Sequence, residues 1–569
     1  MAIFAMGWHK PDNVAGSSAP AIMVGSFVAT GGLLFGYDTG SINGILAMTT
    51  FKNDFTTGFR DAEGNPGMYP SQVSLIVAML SAGTAVGALL AAPVGDKWGR
   101  RRSLIGAILV FCVGAIFQVC ATNVATLVVG RTLAGVGVGM VSVLVPLYQS
   151  EMAPKWIRGT LVCAYQLSIT LGLFGASLVN IFTYKMSTAA AYRIPMGLQL
   201  TWASVLALGL LVLPETPRYL IKRGLKDAAA LSLSRLRRLD ITHPALIEEL
   251  AEIEANHDYE MAMGADSYHS VFFGEPHLGR RIVTGCGLQM LQQLTGVNFI
   301  MYYSTTFFNG ANVNDPFSIS LIMQVINVVS TLPGLFVVES LGRRRLLMSG
   351  AVGMAICQLF IASYATANGG NLMVQNQILI GFVAIYVFFF AASWGPVVWV
   401  VTSEIYPLKV RAKSMSISTS ANWILNFGIA YGTPYLVGTT KGSPGSVDLG
   451  SRVFFVWGAF CLVAVAFVYF MVYETSKISL EQIDEMYERV DYAWNSRSFE
   501  PSWSFQQMRD FGFSDSGVPP AVPHLELQSS RTSSAGTSHT DTGVSSTTTS
   551  TSSQDDKIVA SLGHVDLSY

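Results

Sequence analysis

The chain has 569 residues, 51% of them hydrophobic and only 12% charged, and its 35 basic and 36 acidic residues nearly cancel. Soluble globular proteins carry about 25% charged residues, so an aqueous domain as the bulk of the chain is excluded, and the lack of a basic surplus excludes a nucleic-acid partner. The six cysteines lie in apolar stretches without metal-ligand spacing and the eight histidines fall in loops and tails, which speaks against a disulfide framework, a metal centre or any bound cofactor.

A bilayer core of ~30 Å needs about 20 mostly apolar residues per helix. Behind an N-terminal segment of residues 1–21, twelve such stretches follow: 22–46, 73–94, 103–121, 125–148, 160–182, 193–213, 282–308, 316–338, 346–365, 377–402, 412–434 and 452–473. Backbone polar groups cannot stay unpaired in lipid, so each is expected to be a helix. Residues 22–213 and 282–473 form two six-helix halves. The charged stretch 214–281 between them has helical periodicity over 226–256 and is expected to make short amphipathic helices. Residues 474–569 form a soluble tail. Within it, 529–553 hold 18 Ser or Thr among 25 residues, too little apolar surface for a core, so disorder is expected from about 529.

Orientation follows from Lys and Arg. Segments 95–102, 149–159, 214–281, 339–345 and 403–411 hold 4, 2, 9, 3 and 2 basic residues, whereas the alternate segments hold only Lys52, Arg60, Lys185 and Lys441. Positive loops stay in the cytoplasm, which places both termini there.

Polar motifs recur in the same order. Gly95-Asp96-Lys97-Trp98-Gly99-Arg100-Arg101-Arg102 returns as Glu339-Ser340-Leu341-Gly342-Arg343-Arg344-Arg345, Glu151 with Arg158 as Glu404 with Arg411, and Pro214-Glu215-Thr216-Pro217-Arg218 as Tyr473-Glu474-Thr475-Ser476-Lys477. Duplicated halves around a central cavity are how carriers are built. The repeated set (Arg100, Arg101, Glu151, Arg158, Glu215 and Arg218, then Arg343, Arg344, Glu404, Arg411 and Glu474) suggests a network of exposed, individually weak ion pairs that closes the inner mouth when the halves meet. Topology alone would explain the arginines but not the repeated glutamates.

Inside the spans stand uncharged amides: Gln166, Gln292, Gln293, Asn327 and Asn422, with Trp423 beside the last. Each amide donates and accepts hydrogen bonds without charge, which suits a ring of sugar hydroxyls. Singly, such residues also serve as helix–helix glue. Asp38 and Arg131 are ionisable residues in apolar spans at equal depth, roughly 9–12 Å below the outer edge at ~1.5 Å per residue. They form either a permanent ion pair or a proton site.

Gly31–Gly40, Gly95–Arg101, Gly130-Arg131, Pro146–Arg158, Pro214–Arg218, Gln292–Asn298 and Trp394-Gly395-Pro396 together resemble the sugar porter family of the major facilitator superfamily. The leader Lys10–Pro20 further resembles fungal high-affinity glucose and monosaccharide transporters. Tyr473 departs from the family's usual proline, which is expected to loosen the final turn. The resemblance implies an all-α integral membrane protein with the twelve-helix major facilitator fold, no enzymatic activity, a monosaccharide substrate (glucose foremost) and residence in the plasma membrane. It implies sugar contacts at Gln166, Gln292, Gln293, Asn298, Tyr302, Asn327, Gly395, Trp399 and Asn422, with Phe35, Tyr303 and Trp423 lining the site. In proton-coupled relatives the position of Asp38 carries the proton and that of Arg131 its partner, so hexose–proton symport by alternating access is expected. Facilitative uniport and a glucose sensor signalling through the tail remain as alternatives, and kinases or ubiquitin machinery are candidate partners of the tail.

Overall fold

The computed structural model describes residues 15–56, 58–60, 66–154, 157–262, 268–274, 277–310, 315–367, 372–437, 447, 449–476, 478 and 480–499. The Ser/Thr-rich tail and leader residues 10–14 lie outside that set. The first half contains α1 (Ala19–Ala29), α2 (Gly31–Ile45), a short α3 (Thr49–Phe55), α4 (Pro70–Trp98), α5 (Arg100–Val119), α6 (Val124–Met152), α7 (Arg158–Thr183) and α8 (Ala190–Leu210). The linker holds α9 (Pro217–Lys222), α10 (Lys226–Arg237), α11 (Pro244–Ala262) and α12 (Tyr268–Phe273). The second half runs α13 (Leu278–Leu294), α14 (Val297–Gly310), α15 (Pro316–Leu341), α16 (Arg343–Ala367), α17 (Leu372–Phe389), a π-turn (Phe390–Trp394), α18 (Gly395–Glu404), α19 (Leu408–Val437) and α20 (Val453–Met471), and α21 (Leu480–Arg489) follows. Among the described residues there is no strand, only an isolated bridge between Arg60 and Pro66.

Among the described residues nine helical segments are long and apolar enough to cross a membrane. The other three expected spans coincide with α8, with α13 and α14, and with α19. The expected basic loops at 95–102 and 339–345 shrink to single residues, because α4 and α5 are separated only by Gly99, and α15 and α16 only by Gly342. Both glycines have positive φ, 91° and 89°, a conformation that side-chain-bearing residues avoid.

Small residues let the helices approach closely where no hydrophobic effect drives them together. A Cβ at Gly83 or Gly87 of α4 would lie 2.1 Å from a backbone oxygen of α6, and Cβ atoms at Gly135 and Gly139 of α6 would meet α4 at 2.2 and 2.1 Å. Across the two halves, Ser74 Oγ of α4 donates to Tyr431 O of α19 at 2.7 Å, and Ser420 Oγ of α19 donates to Ala85 O of α4 at 3.1 Å. At the end remote from the basic motifs, Asn43 Nδ2 donates to Ser304 Oγ at 2.9 Å, and Thr305 N donates to Asn43 Oδ1 at 3.2 Å.

The first residues after the second half are docked, contrary to the loosening expected from Tyr473. Its ring is fully buried and its hydroxyl donates to Val490 O at 2.8 Å and Asp491 O at 3.1 Å. Tyr473 packs with Ile483, Met486, Tyr487 and Ala493 in a separate small core, with the Arg281 guanidinium over the Tyr487 ring at 4.2 Å. A proline could close a turn here but could not supply that hydroxyl.

Candidate functional site

At the basic end each half folds its own motif into the same knot. Arg100, at the start of α5, is ion-paired to Glu151 at 3.0 Å and Asp96 at 3.1 Å. The backbone N–H groups of Arg100 and Arg101 donate to Glu215 at 3.0 and 3.1 Å, and Thr216 Oγ1 donates to Glu151 Oε2 at 2.5 Å. In the second half Arg343 pairs with Glu404 at 2.9 Å and Glu339 at 2.8 Å. Arg343 N and Arg344 N donate to Glu474 at 2.9 and 3.2 Å, and Thr475 Oγ1 donates to Glu404 Oε2 at 2.8 Å. The two carboxylates Glu215 and Glu474 thus cap helix N-termini, where free N–H groups and the helix dipole favour negative charge.

The sequence suggested exposed pairs reaching between the halves. Arg100 and Arg343 are instead buried, and their ion pairs lie within each half. The one-residue links at Gly99 and Gly342 leave no loop for water to enter. Burial pushes the Glu215 carboxyl above the ordinary carboxylate range. Arg411 donates to Tyr406 O at 3.1 and 3.0 Å from Nε and Nη2, whereas Arg158 and Arg218 line a small pocket beneath the first half with Glu151. The halves do touch here: a Cβ on Gly159 of α7 would lie 2.3 Å from Glu339 Oε1.

Between the two halves lies a cavity. Phe35, Gln166, Gln292, Gln293, Asn298, Asn327, Trp399, Asn422 and Trp423 all line it. The second half bends its chain to bring them there. The helix breaks between α13 and α14 at Gly296, φ 84°, so that Gln293 and Asn298 face one another across the break and are hydrogen-bonded. Gln293 Nε2 donates to Asn422 Oδ1 at 2.7 Å, and Asn422 Nδ2 donates to Gln292 Oε1 at 3.0 Å and Gln289 Oε1 at 2.7 Å. Gln292 Nε2 donates to the carbonyls of Trp394 and Gly395 at 2.8 and 3.2 Å, tying it to the junction of the π-turn and α18. Trp423 meets Phe35 edge-on, centroids 5.0 Å apart, and Trp399 meets Tyr165 at 5.8 Å, so each tryptophan spans the two halves.

Three expected contact residues do not line this cavity. Tyr302 and Tyr303 sit on the face of α14 turned to α19, where Tyr302 accepts from Asn426 Nδ2 at 3.2 Å and Tyr303 donates to Ala430 O at 2.7 Å. Gly395 offers no side chain and lies against Gln166, where a Cβ would make a tight contact 3.2 Å from Nε2. The structure also brings in Gln289, one helical turn before Gln292 and Gln293. The i, i+3, i+4 spacing could have revealed it.

Asp38 and Arg131 meet as the depth argument anticipated, Oδ2 to Nη2 at 3.5 Å and both fully enclosed. The buried side-chain amide of Gln118 lies beside the Asp38 carboxylate.

The profile described as sugar (and other) transporter matches residues 24–487. This chain belongs to that family. A probable glucose transporter of Neurospora crassa is 73% identical over 100% of both chains. The high glucose sensor RGT2 of Saccharomyces cerevisiae is 41% identical over 84% of this chain and 63% of its own length, and the low-affinity glucose transporter HXT3 of the same yeast is 38% identical over 84% and 83%. Among solved structures, the proton:xylose symporter XylE bound to 6-bromo-6-deoxy-D-glucose superposes with TM-score 0.71 at 27% identity, covering 83% of this chain and 100% of that one. Inward-open XylE from E. coli gives 0.61 at 25% identity, over 82% and 99%. As a member of the sugar transporter family the chain is a multi-pass membrane transport protein and not an enzyme.

Proposed function

We propose that this protein imports glucose and related hexoses across the plasma membrane by alternating access, with both termini cytoplasmic, and that it couples uptake to protons. The observation that carries the sugar reading is the cavity itself: converging uncharged amides with two tryptophan faces. The amides answer hydroxyls, and an indole face covers the C–H side of a pyranose. Relatives described as glucose transporters support the choice of hexose.

Proton coupling rests on the Asp38–Arg131 pair. A buried pair this long is held weakly enough to break when the cavity opens to one side, and a carboxylate that loses its arginine takes up a proton. The symporter among the structural neighbours supports this reading. The test is radiolabelled glucose uptake in cells lacking their own hexose carriers, with and without a protonophore. Uptake against a gradient that collapses with the protonophore, and is lost in Asp38→Asn, is expected. Equilibrative uptake unaffected by either would identify a uniporter instead.

A sensor reading is favoured by the similarity to RGT2 and by the docked segment after Tyr473. Removing residues 500–569 separates the two: a carrier keeps its uptake, whereas a sensor loses its signal.

A further inference from the structure

The two faces of the cavity differ in what they leave open. On the second half Gln292, Gln293 and Asn422 are already engaged with one another and with backbone carbonyls, while Asn327 Oδ1 has no hydrogen-bond partner among the described residues. On the first half the lining is Phe35, Gly36, Thr39, Gln166, Ile169 and Leu173, so only Thr39 and Gln166 carry a polar side chain. Thr39 is 2% exposed, and its Oγ1 has no hydrogen-bond partner among the described residues.

The hydroxyls of Thr50, Thr306 and Ser416 are also buried without a partner, but among the described residues Thr39 is the hydroxyl that lines the cavity. Buried threonines on a helix ordinarily turn the hydroxyl back to a carbonyl one turn earlier. Thr84, Thr170, Thr331, Thr402 and Thr433 all do so, at 2.7–2.9 Å. Thr39 has the same option on α2, at the carbonyls of Phe35 and Gly36, and does not take it. Phe35, Gly36 and Thr39 share one face of α2, at i, i+1 and i+4, and that face looks into the cavity. An unsatisfied buried hydroxyl is costly, and here the missing partner would lie in the cavity.

We infer that Thr39 Oγ1 is a sugar contact supplied by the first half, hydrogen-bonding one particular hexose hydroxyl and so taking part in choosing among hexoses. This rests on the hexose-carrier reading above. A hydroxyl matches a hydroxyl because each donates and accepts, and one contact from the opposite half reads a single position of the ring. Its place next to Asp38 on the same helix also means that a seated sugar holds the segment carrying the ionisable pair.

The experiment is uptake kinetics of glucose and a series of single-position deoxyglucoses for the wild-type chain, Thr39→Val and Thr39→Ser at matched surface abundance. In the wild type one deoxy position is expected to raise KM about three- to ten-fold. Thr39→Val should raise KM for glucose by the same factor and erase the discrimination at that position alone, while Thr39→Ser stays within about two-fold. Should Thr39→Val fail to reach the membrane, Thr39→Ala carries the same expectation. An unchanged KM in the valine variant, an equal loss for every sugar, or a serine variant as poor as valine would each overturn the role of Thr39 and leave the carrier reading standing. A wild-type chain that takes up no hexose would overturn the carrier reading, and this inference with it.

Discussion

At the basic end the two halves are chemical copies: Arg100, Glu151, Asp96, Glu215 and Thr216 in one match Arg343, Glu404, Glu339, Glu474 and Thr475 in the other, partner for partner. At the cavity they are not copies at all. The first half presents a mostly apolar wall on α2 and α7, while the second bends at Gly296 and at the π-turn to hold a hydrogen-bonded set of amides. Both halves must anchor their helix ends in the same way as they rock, so duplication preserved that chemistry. A pyranose has no two-fold symmetry, so a symmetric grip would waste contacts. In the carrier proposed above, one half grips the sugar and the other covers it.

The comparison can be broken or sharpened by mutation. Asn422→Ala removes the donor to Gln289 and Gln292 and the acceptor of Gln293, each at about 1–3 kcal/mol when left unpaired. A fall of at least about 100-fold in kcat/KM for glucose is expected, against about ten-fold for Gln166→Ala on the covering half. Equal losses would contradict the division of labour. Glu404→Gln and Glu151→Gln each break a buried pair, worth roughly 3–5 kcal/mol, and should slow exchange and lower thermal stability to a similar degree. A large effect in only one half would show that the knots are not equivalent. Gly99→Ala and Gly342→Ala place a Cβ 2.4 Å from Glu215 and Glu474 respectively at positive φ, and a loss of roughly 2 kcal/mol is expected for each in thermal unfolding in detergent. The smallest effect is Tyr473→Phe, which removes about 1 kcal/mol of tail docking and should speed protease cleavage after Tyr473 without changing glucose KM.

Much of this was legible in the chain. Gln166, Gln292, Gln293, Asn327 and Asn422 stood out because an amide in an apolar span must have a reason to be there, and the Asp38–Arg131 contact followed from counting residues at a fixed rise per turn. The knots were half legible: the repeated glutamates pointed to a shared role, but their burial and confinement within each half depended on helices running through the expected loops. Tyr473 was misjudged because one residue's departure from a pattern says nothing about what packs against it, here a core formed by residues up to Ala493. Thr39 was invisible for a similar reason. A threonine in a helix is commonplace, and only the positions of the neighbouring carbonyls show that its hydroxyl is unanswered.

The amino-acid sequence by itself determined the solvent of this protein, its helices, its duplication and the uncharged chemistry of its centre, because those follow from composition, from the period of apolar residues and from hydrogen bonds that lipid cannot supply. Which amides satisfy one another, which arginines are enclosed and which hydroxyl is left open were decided only by the tertiary structure. Those depend on distances between groups more than a hundred residues apart, set by helix packing and by the bends at Gly296 and Phe390–Trp394.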